Sequence, residues 1–238
     1  MLKFIGITAV VLVGFFVLFL VLAPPANQAP VNQTTNTNPR DRVSLEQRAD
    51  MENRPALIIG DPEAPVTLVE YGDFKCPSCN QFHHGVGQQL REEYVMSGRA
   101  NIEFRNYPFI GPDSGRAARA TYCAYDQGVF TEYHDKVYEF LWDTYYTQGD
   151  LNAEFRDVLT FDKLEEIMAD DLGDAELFAD CIRSDDNNRF VDADLLLGAE
   201  DGVTGTPGFV IADQRVNGPS NYNTFATLLD IEIRKLSQ

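Results

Sequence analysis

Cysteine is scarce in this sequence, four in 238 residues, and basic residues are outnumbered, 19 Lys and Arg against 37 Asp and Glu. Four cysteines exclude a disulfide-built scaffold but suffice for one redox or metal pair and one structural bridge. A formal charge of −18 excludes a nucleic-acid binder, which needs a basic surface to neutralise phosphates. The chain has no phosphate-binding loop, nucleophile elbow or dinucleotide fingerprint, so hydrolytic, nucleotide and flavin or nicotinamide chemistry are not expected. Neither a calcium loop nor any other marked metal site is present, and no cofactor is implied. What remains is a chain with 44% apolar residues, enough for a real core in one domain carrying an insertion.

Residues Phe4 to Ala23 contain no charge. As a helix this run reaches about 30 Å, the thickness of a hydrocarbon layer, and predicts a transmembrane anchor over residues 1–23. Lys3 and the amino terminus favour an inside N-terminus and an extracytoplasmic domain. A cleaved signal peptide ending at Val21–Ala23 is the alternative, opposed by Pro24 and by the length of the run. Either route delivers the domain to a compartment where disulfides persist. Residues 24–56, rich in Pro, Asn, Gln and Thr at the start, read as a flexible linker with a short helix at 43–52. The folded domain is expected over 57–238.

Within it, Val66–Tyr71 reads as a strand, a helix starts at the first cysteine pair and runs to about Tyr94, and 102–109 reads as a second strand. Strand, helix, strand at this spacing predicts a parallel, right-handed unit. Residues of about 113–200 switch to helical periodicity, with segments at 161–169, 174–183 and 187–199. Strands return at Phe209–Ala212 and Arg215–Gly218, followed by a helix over 221–236. The expected fold is α/β: a mixed sheet with an all-helical subdomain inserted between its halves. The 16 acids and 4 bases of residues 150–200 read as the solvated face of that insertion.

Cys76-Pro77-Ser78-Cys79 follows a strand and opens a helix. The unpaired amides and dipole of a helix start stabilise a thiolate at Cys76, Pro77 needs no amide donor there, and Cys79 lies one turn inward. An easily ionised thiol beside one that can displace it is what disulfide exchange requires. A static pair, or a metal carrier built from Cys76, Cys79 and His83, is the competing reading, though one helix cannot readily wrap such close neighbours around a tetrahedral ion. Glu70 lies in an apolar strand six residues earlier. If buried, its carboxyl would have a raised pKa and could exchange a proton with Cys79. Thr206-Pro207 enters a strand, and a cis bond there would let the Thr206 backbone pair with an extended substrate peptide. Cys123 and Cys181 fall in the insertion, either bridged or as two thiols.

Val66–Cys79 (VTLVEYGDFKCPSC) and Gly202–Ile211 (GVTGTPGFVI), with Tyr122–Gln127 and Phe130–Asp135, resemble the thioredoxin-fold thiol oxidoreductases of the exported DsbA-like group, particularly its membrane-tethered subgroup. The resemblance implies that Cys76 attacks, Cys79 resolves and Glu70 is a buried acid. It implies that Thr206 and a cis Pro207, with Pro77 and Ser78, hold substrate, and that Cys123–Cys181 is a structural bridge. It departs from the best-known oxidants of that group, which have Pro-His where Pro77-Ser78 stands. The implied activity is disulfide insertion into exported polypeptides with free thiols, with reduction or isomerisation as the reverse alternative. The implied partner is a quinone-linked membrane protein that re-oxidises the pair.

Overall fold

A computed structural model describes residues 43–236. The apolar run at 4–23 lies outside the described residues, and among the described residues no helix is long and apolar enough to cross a membrane. Helix α1 (Leu45–Asn53) begins at Ser44, whose hydroxyl accepts from the Gln47 amide while the Gln47 side chain bonds back to the Ser44 backbone. This reciprocal cap defines a helix that buries none of its own side chains.

Five strands follow in one sheet: β1 (Leu57–Ile59), β2 (Thr67–Gly72), β3 (Asn101–Asn106), β4 (Gly208–Ile211) and β5 (Gln214–Asn217). Their spatial order is β1-β3-β2-β4-β5. β2 and β3 are parallel, and every other pair is antiparallel. The mixed sheet expected from the sequence is therefore present, with β2 at its centre. Three-residue β1 was not expected; it pairs Leu57–Ile59 against Phe104–Ile102 and closes the edge beyond β3. β3 ends at Asn106, short of the expected 109, where the Asn106 amide donates to Asp194 at 2.9 Å and Pro108, lacking an amide proton, follows.

The crossover between β2 and β3 is α2 (Pro77–Phe82), which runs on through π-helical turns at His83–Gly87 and Arg91–Val95 with Gln88–Leu90 between them. The insertion after β3 comprises α3 (Pro112–Asp126), α4 (Phe130–Thr144), α5 (Phe161–Met168), α6 (Ala175–Arg183) and α7 (Asn188–Glu200). α8 (Tyr222–Leu236) ends the described chain.

Alternation along β2 does not expose one side, because helices cover both faces. Glu70, Phe104 and Phe209 share a face, being cross-strand partners. Phe209 there meets Phe82 of α2 and Phe225 of α8, with ring centroids at 4.5 and 4.8 Å. On the opposite face Tyr71 is fully buried under α7, which Gly198 lets approach closely: a Cβ at 198 would lie 2.6 Å from the Tyr107 ring and 3.2 Å from that of Tyr71. α1 packs on the same α7. Just after α1, the Arg54 guanidinium pairs with buried Asp194 at 3.2 Å and with Glu103. Asp194 also accepts the Tyr122 hydroxyl at 2.7 Å. Ordered contacts thus extend upstream of residue 57 into the stretch read as linker.

Candidate active site

The turn before α2 is fixed by its own backbone. The Cys76 amide donates to the Asp73 carbonyl at 3.0 Å, and Asn80 Nδ2 donates to the carbonyls of Phe74 at 2.7 Å and Cys76 at 3.1 Å. Cys76 is the N-cap, in extended conformation, with Pro77 at the first helical position. Its amide-rich surroundings are those of a helix start, where a thiolate is favoured. Opposite it, the Thr206–Pro207 bond is cis, and Cys76 Sγ lies 3.5 Å from the Thr206 carbonyl oxygen. Cys76 and Cys79 are present as a dithiol. Cys76 keeps 7% exposure while Cys79 has none, so an incoming thiolate reaches only the first.

The two thiols are driven apart electrically. Hydrogen bonding from Cys79 is the main force lowering the Cys76 pKa from 9.0 to about 6; burial opposes it, and Thr206 and the amides of Cys79 and Ser78 assist. Cys79 moves the other way. Burial raises it well above its ordinary value, helped by its bond to Cys76 and the Cys76 charge, with the Asp73 backbone pulling back. Below them Glu70, 3% exposed, has its carboxyl pushed up to about 8 by burial, against the lowering influence of Arg91. Its cross-strand partners are Phe104 and Phe209, which offer nothing to solvate a charge.

The residues around the pair come from both halves of the fold. Asp73 is buried and accepts from the amides of Lys75 (3.0 Å), Phe109 (3.0 Å) and Ile110 (3.2 Å). Lys75, directly before Cys76, is 1% exposed. Its ammonium pairs with Asp113 of α3 at 2.7 Å and donates to the Arg156 carbonyl. Asp113 in turn accepts the Val158 amide at 2.9 Å. Between these segments an open cleft of about 520 Å³ is lined by Cys76, Pro77, Ser78, Phe109, Ile110, Glu154 and Phe155. Phe109 and Phe155 are 61% and 75% exposed.

Sequence reasoning passed over Lys75, Asp73 and Asp113. Lysine and aspartate ordinarily read as solvated, and nothing in their spacing signals a buried pair.

The structure does not gather Cys76, Cys79 and His83 into a metal site. Among the described residues, the one His/Cys/Asp/Glu group close enough to share an ion is His83, His134 and Asp135. Its carboxylate is already held by both arms of Arg91, at 2.6 and 2.8 Å, and by His134 Nδ1 at 2.9 Å. His83 stacks on Tyr138 with centroids 4.9 Å apart. His84 stacks on Trp142 at 4.7 Å. In the insertion Cys123 of α3 and Cys181 of α6 are joined as a disulfide with Cα atoms 5.9 Å apart. Asn187 Nδ2 donates to both sulfurs, at 3.4 and 3.5 Å.

Comparison with known proteins agrees with this arrangement. The probable disulfide bond formation protein D of Bacillus cereus is 29% identical over 181 residues, covering 74% of this chain and 78% of the relative. Disulfide bond formation protein D of Bacillus subtilis is 26% identical over 185 residues, covering 74% and 77%. The crystal structure of oxidised BdbD from Bacillus subtilis superposes with a TM-score of 0.66 at 22% identity, over 75% of this chain and 93% of that one; it establishes a shared fold. A family profile described as Thioredoxin matches residues 52–231. With a sheet, a cysteine pair at a helix start and a cis proline all lying within the matched residues, the chain belongs to the thioredoxin family.

Proposed function

We propose that this protein is a thiol–disulfide oxidoreductase that introduces disulfides into exported proteins. The observation that carries the reading is the asymmetry of the pair: Cys76, slightly exposed and ionised near pH 6, faces the Thr206 carbonyl ahead of a cis proline, and Cys79 is wholly buried behind it. In the oxidised enzyme a substrate thiolate attacks Cys76 Sγ and breaks the Cys76–Cys79 bond. A second substrate thiol then displaces Cys76, forming the substrate disulfide and leaving the dithiol. A thiolate stabilised in the reduced form makes the corresponding disulfide a stronger oxidant, which favours the oxidising direction.

Thr206 and Pro207 present backbone to an extended substrate. Pro77 and Ser78, with Phe109 and Phe155, give the cleft an apolar wall suited to an unfolded segment. Glu70 supplies or takes the proton of Cys79, and the Cys123–Cys181 bridge braces the insertion. The uncharged run at 4–23 supports a single-pass anchor with the domain on the extracytoplasmic side. A tether of that kind would hold the domain near a quinone-linked membrane partner that re-oxidises the pair.

The Cys79→Ala variant tests the chemistry. Without the resolving thiol, a cysteine-containing peptide presented as its mixed disulfide should remain on Cys76 as an adduct visible by mass spectrometry and lost on adding reductant. If no adduct forms while the variant is folded, the exchange reading fails. Equilibration of the wild-type pair with glutathione fixes the direction: an oxidant stays reduced in buffers that would oxidise a reductase.

A further inference from the structure

Lys75, the residue directly before the nucleophile, is 1% exposed and takes no part in the exchange described above. Its backbone is fixed from two sides: the amide donates to Asp73 Oδ1 at 3.0 Å, and the Tyr146 hydroxyl donates to its carbonyl at 2.6 Å. Its ammonium pairs with Asp113 Oδ1 at 2.7 Å and donates to the Arg156 carbonyl. A buried ion pair gains little or nothing over well-packed apolar residues, so stability does not account for a lysine here. Nor does acidification of the thiol. The influences that set the Cys76 pKa are led by hydrogen bonding from Cys79, with burial, Thr206 and the amides of Cys79 and Ser78 behind it.

The bonds lead instead to the substrate cleft. Glu154 and Phe155 line it, and the next residue is Arg156, whose carbonyl the Lys75 ammonium holds. Asp113 uses its other oxygen on the amides of Val158 at 2.9 Å and Leu159 at 3.4 Å. Three backbone groups within residues 156–159 therefore end on the Lys75–Asp113 pair. Phe155 is 75% exposed, so the placing of its backbone, not packing around its ring, sets where it stands. The Phe109–Ile110 side of the cleft is tied to the same turn, because Asp73 Oδ2 accepts the amides of Phe109 and Ile110 at 3.0 and 3.2 Å. The helix start itself is held separately, by the Cys76 amide on the Asp73 carbonyl and by Asn80.

We propose that Lys75 and Asp113 are positioning residues that hold the 154–159 segment at a fixed reach from Cys76, so that a substrate cysteine and the apolar side chain beside it are seated together. This rests on the exchange reading above. Neither residue touches the substrate. The ammonium and the carboxylate are both enclosed, and what they govern is the distance between the nucleophile and Phe155. Productive seating of an extended peptide depends on that distance, whereas the chemistry at the sulfur does not.

Lys75→Met keeps the length of the side chain and removes its charge and donors, leaving the backbone bonds to Asp73 and Tyr146 in place. The full chain, oxidised, is mixed with a two-cysteine peptide carrying phenylalanine beside its first cysteine, and separately with dithiothreitol, which is too small to reach Phe155. The ratio of second-order rate constants, peptide over dithiothreitol, should fall about tenfold, the scale of one lost apolar contact. The fall should come through a higher half-saturating peptide concentration rather than a slower limiting step. Phe155→Ala should give the same loss, and adding Lys75→Met to it should cost nothing more, because both act on one contact. The thiolate midpoint of Cys76 should stay at its parental value. Lys75→Met combined with Asp113→Asn leaves no unpaired charge, should behave alike, and serves if the single variant is unfolded. An unchanged ratio, a moved thiolate midpoint, or losses from Lys75→Met and Phe155→Ala that multiply would overturn the proposal, as would failure of both variants to fold. Each of these results leaves the exchange reading standing, since that reading fails only if Cys79→Ala traps no peptide.

Discussion

Replacing Glu70 by Gln should make the protein more stable, and only toward alkaline pH. Glu70 is 3% exposed, and burial lifts its carboxyl from 4.5 to about 8, with Arg91 opposing. In the unfolded chain it returns to its ordinary value. Between those two values the native state keeps a proton that the unfolded state has released, so stability falls as pH rises. The contribution is complete below the unfolded pKa of 4.5 and has drained away by about pH 8, with no further loss above. Three and a half decades, from 4.5 to about 8, at 1.36 kcal/mol each amount to at most about 5 kcal/mol. Glutamine keeps the shape and removes the ionisation. Urea unfolding of the dithiol form of both proteins, at pH 5, 7 and 9, measures the effect. The glutamine variant should differ little from the parent at pH 5 and gain several kcal/mol by pH 9. An identical difference at all three pH values would refute the account of a buried, protonated acid, and a weaker variant at pH 9 would reverse its sign.

The thiolate absorbance of Cys76 should titrate with a midpoint near 6. In Cys79→Ala that midpoint should move up, because the Cys79 hydrogen bond is the largest influence lowering it; an unmoved midpoint assigns the shift elsewhere. Replacing Cys123 and Cys181 by serine, 58 positions apart, should cost about 4 kcal/mol on the chain-entropy account. The denaturant midpoint checks this, and the glutathione equilibrium of Cys76–Cys79 should not change.

Much of the fold could be read from periodicity. The inserted helices at Phe161–Met168, Ala175–Arg183 and Asn188–Glu200 fall where their apolar spacing and caps put them; Thr160 and Asp174 each accept the amide three residues on. The mixed sheet followed from the order of its segments. β1 escaped notice because three residues, Leu57–Ile59, are too few to show alternation.

In the site, the cysteine pair was legible because spacing and a helix start are local properties. Lys75 was not. A lysine beside a cysteine looks solvated until Asp113, 38 residues away, is seen to bury it. The π-helical turns of α2 are likewise invisible to a 3.6-residue period.

The contact between Lys75 and Asp113 has a practical meaning for anyone who would trim this protein to a minimal redox domain. Both partners are 1% exposed, and Asp113 also holds the Val158 amide. Excising the inserted helices would remove Asp113, the Arg156 carbonyl and the Tyr146 hydroxyl together, and with them the contacts that hold the residue directly before Cys76. The sheet and its insertion are two halves of one frame, and a shortened version would have to anchor position 75 by other means before its cysteines could stand where they do now.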